Sequence, residues 1–259
     1  MCAIIRLAKE LKYNMKGLSK MDTTKCQKYS TKIIAHRGLS GLECENTAAA
    51  FIAAGQRSHF GIETDIHKTI DGYFVCCHDS SPYRVSDKDL VIEQSTLAEV
   101  EEIRLYERGS REARGYLRIP RLSDYISICK KYGKHCVPEI KGKMTKEMLE
   151  NVTAQFASEN MLESTTFIAF DFENLEIIRK ILPRQSVQLL TSEINDEIIS
   201  LLVSNRMDID VQYNALSEEN VRKLHENGIK INCWSVNDKS SAEKLSVWGV
   251  DYITSDILE

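Results

Sequence analysis

His36-Arg37-Gly38, Glu45-Asn46-Thr47, Glu63-x-Asp65, Thr69-x-Asp71-Gly72 and His78-Asp79 follow one another within about 45 residues, and Pro138-Glu139-x-Lys141 comes later. These residue types can cleave a phosphodiester. An imidazole titrates near neutrality, so two histidines can divide the proton work, one as base and one as acid. Arg37 and Lys141 can stabilise the extra charge that gathers on the phosphoryl oxygens, and carboxylates can hold a cation beside them.

The carboxylates are spaced for a strand. Glu63 and Asp65 stand two apart in the apolar stretch Phe60 to Ile66, and alternation puts both on one face. Glu139 and Lys141 repeat the pattern in a later strand. If the three carboxylates converge, each pair about 4 Å apart repels by roughly 4 kcal/mol at an effective dielectric of 20, equivalent to about three pKa units. Either one of them takes up a proton or a cation neutralises them. All-oxygen donors favour magnesium or calcium over zinc. Cys76 and Cys77 beside His78 do not argue for zinc, because neighbours on a strand face opposite sides.

Strands and helices must deliver these groups to one place. Strand-like segments are predicted at 32–36, 60–66, 135–140, 165–170, 186–190, 207–211, 229–235 and 250–254. Helix-like segments fall between them at 47–57, 122–132, 145–158, 172–181, 195–204, 217–227 and 238–247. Cap chemistry is read at Asn46 before Thr47, at Ser123, and at Ser217 with Asn220, and helix stops at Gly133 and Gly228. Eight alternations give an α/β fold, a (β/α)8 TIM barrel, whose sites lie at the C-terminal ends of strands. His36, Glu63, Asp65, Glu139, Lys141 and Trp234 fall at or near such ends.

The connection from about 67 to 121 is long for a barrel and reads as a small insertion after the second barrel strand. A turn at Thr69 to Gly72, a short extra strand at Tyr73 to Cys77, and one or two short helices between 83 and 119 are expected there. Residues 1–31 form a separate basic extension, with seven Lys or Arg against Glu10 and Asp22; Ile4, Ile5, Ala8, Leu11 and Met15 have helical spacing. The barrel is assigned to residues 32–259.

Composition narrows the partners. A formal net charge of -4 argues against a protein that binds nucleic acid through phosphate contacts. No apolar run approaches the length of a membrane span, so no stable membrane insertion is expected. The eight cysteines lie mostly inside predicted strands and helices, which predicts reduced thiols in a cytoplasmic protein. His59, His67, His135 and His225 carry no motif and are expected at the surface or at helix ends.

The ordered motifs resemble those of the glycerophosphodiester phosphodiesterases: His36-Arg37-Gly38, Glu45-Asn46-Thr47, Gly61-x-Glu63-x-Asp65, Thr69-x-Asp71-Gly72, His78-Asp79 and Pro138-Glu139-x-Lys141, with Trp234-x-Val236-Asn237, Gly249-Val250-Asp251 and Asp256 beyond. The resemblance implies metal-dependent hydrolysis of a small glycerophosphodiester to glycerol 3-phosphate and an alcohol. It implies His36 as base, His78 as acid, and one divalent cation, Mg2+ or Ca2+, on Glu63, Asp65 and Glu139. It also implies that Arg37 and Lys141 meet the phosphate and that Trp234 lines the pocket. Ala169 stands where family members often have a serine, which predicts a lost polar contact near the glycerol pocket, and Ser255 stands where a threonine is usual. Two alternatives are a barrel phospholipase of sphingomyelinase D-like or phosphoinositide-specific type, and a non-catalytic phosphodiester-binding barrel. The first wants an apolar rim where residues 83–119 are charged; the second would be expected to lack His36 or His78.

Overall fold

Strand β1 (Lys32–Ala35) pairs in parallel with both β2 (Gly61–Lys68) and β9 (Tyr252–Ser255), and this double pairing closes the sheet into a barrel. The other staves, all parallel, are β4 (His135–Ile140), β5 (Thr166–Ala169), β6 (Ser186–Thr191), β7 (Asp208–Gln212) and β8 (Ile231–Trp234). The computed structural model describes residues 22–259, so the amphipathic helix expected over 4–15 lies outside it. Helices α1 (Ala48–Gly55), α3 (Leu122–Tyr132), α4 (Lys146–Ser158), α5 (Phe172–Ile181), α6 (Asp196–Asn205), α7 (Glu218–Glu226) and α8 (Lys239–Trp248) connect successive staves.

Alternation along the strands sorts the core into two layers. Outward residues such as Ile33, Ala35, Ile62, Phe167 and Ala169 pack beneath the helices, where Phe156 meets Phe167 edge-on at 5.2 Å. Inward, only a small apolar cluster remains, Ile34, Val137, Ile168 and Leu190, with Phe60, Trp234 and Tyr252 against it. Each fully buried Ile or Phe contributes about 1.5–3 kcal/mol, so the outer layer carries most of the stability and leaves the inner face free for polar residues. Tyr125 on α3 fixes two staves to each other. Its hydroxyl donates to the Ile62 carbonyl at 2.6 Å and accepts from the Val137 amide at 2.9 Å.

The insertion builds its own support. Strand β3 (Phe74–Cys76) runs antiparallel to β2, and Val75, Cys77, Ile92, Leu97, Val100 and Ile103 form a second apolar cluster. Helix α2 (Leu97–Glu101), started by a Thr96–Glu99 capping box, is joined by two 3-10 turns, Pro82–Arg84 and Ile92–Gln94. Cys76 belongs to the main core and Cys77 to the insertion's cluster, on opposite faces as alternation requires.

Several local expectations are corrected. Thr47, not Asn46, caps α1, its hydroxyl accepting from the Ala50 amide at 3.2 Å. Ser123 lies inside α3; the Asp124 carboxylate instead accepts from the Arg121 amide at 3.1 Å, because a carboxylate three residues in can reach back to the free N–H. His59 and His67 are buried instead of exposed, each held by a backbone carbonyl, Leu258 at 3.0 Å and His78 at 3.2 Å. Ser217 does cap α7 with Asn220, and Gly133 ends α3 in the left-handed region.

Gly38 determines how the loop after β1 returns to α1. Its φ is +74°, and an added Cβ would lie 2.7 Å from the Ala50 carbonyl carbon. Gly38→Ala should therefore destabilise by about 2 kcal/mol or more, lowering the Tm by roughly 4–8 °C in a chain of this size. Thermal unfolding checks it, and an unchanged Tm would contradict the packing described.

Candidate active site

The cross-strand register places Asp65 of β2 beside Glu139 of β4, and Glu63 sits two residues earlier on the same face. One carboxylate oxygen from each lies within 4.8 Å of the others. Surrounding groups fix them. Glu63 accepts from the Arg37 amide at 2.6 Å, Asp65 accepts from the Asn46 side chain at 2.8 Å, and Lys141 Nζ lies 2.8 Å from Glu139 and 3.4 Å from Asp65. Asn46, read from sequence as a helix cap, is thus a buried clamp: its carbonyl oxygen also accepts from the Thr64 hydroxyl at 2.7 Å.

Burial, reinforced by the Asp65 charge, pushes Glu63 well above the usual carboxylate range against the pull of Arg37. The same two causes push Glu139 up to about 7, although Lys141 opposes them. Burial depresses Lys141, but Asp65 and Glu139 more than restore it and its pKa is raised. Crowded together, the three carboxylates cannot all stay ionised against Arg37 and Lys141 alone, and either protons or a cation must relieve them. Asp65 Oδ1, buried, has the Lys141 ammonium 3.4 Å away but no well-aligned hydrogen-bond donor. A hard divalent cation fits this donor set, which contains oxygen atoms only.

Both histidines stand on aspartates. His36, just past the end of β1, has Nδ1 2.6 Å from Asp256 Oδ1, and Asp256 also accepts from Ser40 at 3.0 Å and Asn237 at 2.7 Å. His78 has Nδ1 2.7 Å from Asp79, whose other oxygen accepts from Arg84 Nε at 2.7 Å. Arg84 continues to Glu45 through two hydrogen bonds of 2.8 and 2.7 Å, and Glu45 accepts from Arg37 at 2.9 Å. An Nδ1–H donated to aspartate leaves Nε2 of each ring for chemistry. Burial lowers the His78 pKa, partly offset by Asp65.

Both histidines and most of the charged cluster face one cavity of about 210 Å³ at the C-terminal mouth of the barrel. His36, Arg37, Glu63, His78, Glu139 and Lys141 line one side, and Asp65 lies behind them. Trp234 forms the opposite wall with Phe170, edge-on at 5.8 Å, and its indole N–H donates to the Asp210 carbonyl at 3.2 Å. Ala169 packs outward in the helix layer, so the substitution there removes no contact from the cavity. Ser255, buried, donates to Asn237 Oδ1 at 3.1 Å. Asp79, Asp256 and Phe170 stand in the sequence motifs without a role, the first two beside a histidine or in a closing motif and Phe170 after the Ala169 position, whereas Arg84 and Asp210 carry no sequence signal.

The Glycerophosphoryl diester phosphodiesterase family model matches residues 36–259. A glycerophosphodiester phosphodiesterase of Caldanaerobacter subterraneus is 27% identical over 237 residues, covering 87% of this chain and 94% of its own. An Oleispira antarctica phosphodiesterase, solved in complex with the product sn-glycerol-3-phosphate, matches with a TM-score of 0.77 at 25% identity over 90% of this chain and 96% of that one. The glycerophosphodiester phosphodiesterase of Thermotoga maritima shares the fold, with a TM-score of 0.70 at 24% identity over 87% and 94%.

The Asp256 carboxylate has a measurable signature. Burial alone would raise its pKa, but the hydrogen bond and charge of His36, with Asn237 and Ser40, hold it at about 2, below the ordinary 3.8. A depressed carboxylate contributes stability that is complete above the unfolded value and lost as pH falls through the folded one. The Tm deficit of Asp256→Asn against the parent should therefore be largest above about pH 5 and shrink between roughly pH 4 and pH 2. A deficit that grows on acidification would contradict the pairing.

Proposed function

The chain belongs to the glycerophosphoryl diester phosphodiesterase family, and from that premise we propose that its barrel-mouth cavity hydrolyses glycerophosphodiesters to glycerol 3-phosphate and an alcohol. The observation that supports this reading best is the convergence of three carboxylates and two histidine–aspartate pairs on a single cavity.

Arg37 and Lys141 bind the phosphate oxygens and stabilise charge that grows on them at the transition state. His36, its Nδ1–H held by Asp256, receives at Nε2 the proton of the attacking group as the new P–O bond forms: either water, which gives glycerol 3-phosphate directly, or glycerol's neighbouring hydroxyl, which gives a cyclic phosphate that water then opens. His78 enters protonated at both nitrogens, with Asp79 stabilising the imidazolium, and gives its Nε2 proton to the departing alkoxide as the old P–O bond breaks. Burial lowers its pKa, while the Asp65 charge and the Asp79 hydrogen bond oppose that and favour the imidazolium. Glu63, Asp65 and Glu139 would hold one divalent cation, Mg2+ or Ca2+. When bound it would polarise a phosphoryl oxygen as a Lewis acid.

A small soluble diester suits the site better than a membrane-embedded lipid. The cavity shares His36 and Arg37 with an outer cleft of about 510 Å³ lined by Glu43, Arg84, Glu107, Arg108 and Arg111, charged groups that would oppose an acyl surface. No helix among the described residues is long and apolar enough to cross a membrane. We also read the protein as cytoplasmic, supported by free thiols at all seven described cysteines.

Chelation with EDTA should abolish nearly all turnover of glycerophosphocholine, with recovery on adding Mg2+ or Ca2+, and Glu63→Gln should match the stripped enzyme. Undiminished activity in chelator would remove the cation from the reading. The histidines separate by leaving group. His78→Ala should lose on the order of 10² to 10⁴ in rate on glycerophosphocholine, whose alkoxide needs a proton, but far less on a p-nitrophenyl diester, whose leaving group is already a stable anion. Rates of His36→Ala should be low on both substrates. Equal losses for the His78 variant on the two esters would refute its assignment as the acid.

A further inference from the structure

The barrel interior holds a second polar group, opposite the carboxylate cluster. Gln188 of β6, Asp210 of β7, Asn232 of β8 and Thr254 of β9 are 3%, 1%, 0% and 2% exposed. Asp210 and Asn232 are register partners, and the Thr254 hydroxyl donates to Asn232 Oδ1 at 3.2 Å. Yet Gln188 Oε1, Asp210 Oδ1 and Asn232 Nδ2 have no hydrogen-bond partner. Each such buried atom costs about 1–3 kcal/mol; Asn232 also interacts with the Asp210 carboxyl beside it, but too loosely to satisfy either atom.

Asp210 differs from the other two in lining the cavity, together with Trp234, Phe170 and Thr254. No cation pairs with it among the described residues, and it stands apart from the carboxylates that could share an ion. Burial, then the charge of Glu139, raises its carboxyl well above the usual range against the pull of Asn232, and the residue lines the cavity as a partner for a hydroxyl. The Trp234 indole, tied to the Asp210 carbonyl, gives an apolar wall for a carbon chain beside that carboxyl. With Arg37 and Lys141 on the far side, the cavity offers charge at one end, a flat apolar wall, and a hydroxyl partner at the other.

We propose that Asp210 is a specificity-determining residue that recognises a hydroxyl of the substrate's glycerol moiety. The proposal rests on the glycerophosphodiester reading above and assigns a recognition role beyond it. A site built to hydrogen-bond a substrate hydroxyl penalises its loss because the protein group is then left unpaired.

The test compares kcat/KM on glycerophosphocholine with kcat/KM on bis(p-nitrophenyl) phosphate, which has no glycerol, for the parent, Asp210→Leu and Asp210→Asn. Asp210→Leu should lose about tenfold or more on glycerophosphocholine while staying within about twofold on the nitrophenyl ester, and Asp210→Asn should recover most of the loss. If the leucine variant does not fold, as judged by thermal unfolding, the smaller Asp210→Ala is read in the same way. Equal losses on both substrates, or no loss on either, would overturn the proposal while leaving the hydrolase reading intact. A parent enzyme that cleaves the nitrophenyl ester but no glycerophosphodiester would overturn that reading, and the proposal with it.

Discussion

Carboxylates inside a barrel repel one another and lose their hydration, and most of the polar architecture answers that one cost. Register makes Asp65 and Glu139 lateral neighbours on adjacent staves, and alternation brings Glu63 to the same face. Lys141 bridges two of them, the Arg37 amide and guanidinium reach the other combination, and Asn46 clamps Asp65 from the loop before α1. The carboxyls that burial and mutual repulsion hold protonated would release those protons to a cation, which makes the cluster a receptor for one.

Placing the histidines is a separate problem solved by two different supports. His36 leaves the end of β1, its amide bonded to Ser255, while its ring is set by Asp256 at the end of the neighbouring stave. Both ends of that contact belong to the barrel itself. His78 has no barrel strand of its own. It is carried by β3 and the insertion's apolar cluster, its carbonyl is held by the buried His67, and Arg84 ties its aspartate partner to Glu45 beside the cavity. The insertion is thus more than a lid: its core stiffens the segment that presents one of the two proton carriers.

The interior is divided by function around its circumference. The β1–β2–β4 side carries charge, the β5 end and β8 supply Phe170 and Trp234, and the β6–β7–β8 seam carries uncharged or neutralised polar groups with unspent hydrogen bonds. A cavity of about 210 Å³ holds only about seven waters' share of liquid volume, enough for a small polyol phosphate. Stability for these unsatisfied groups comes from the outer layer between strands and helices, where apolar packing is continuous.

Sequence alone determined the staves and the helices between them, because period-two and helical alternation are local properties of the chain. Charge spacing within single strands was legible for the same reason: Glu63 with Asp65, and Glu139 with Lys141. Contacts between distant residues were not. Asn46 looked like a helix cap, since Asn before Thr reads that way locally; only the approach of the α1 loop to β2 makes it a clamp on Asp65. His67 looked like an exposed residue until the insertion folded over it, and Arg84 lay in a charged stretch with no pattern to single it out. Asp210 is one inward residue among many on a strand. That its oxygen is unpaired and borders the cavity depends on barrel closure, which sets what each inward side chain faces across the interior, and no local period encodes that.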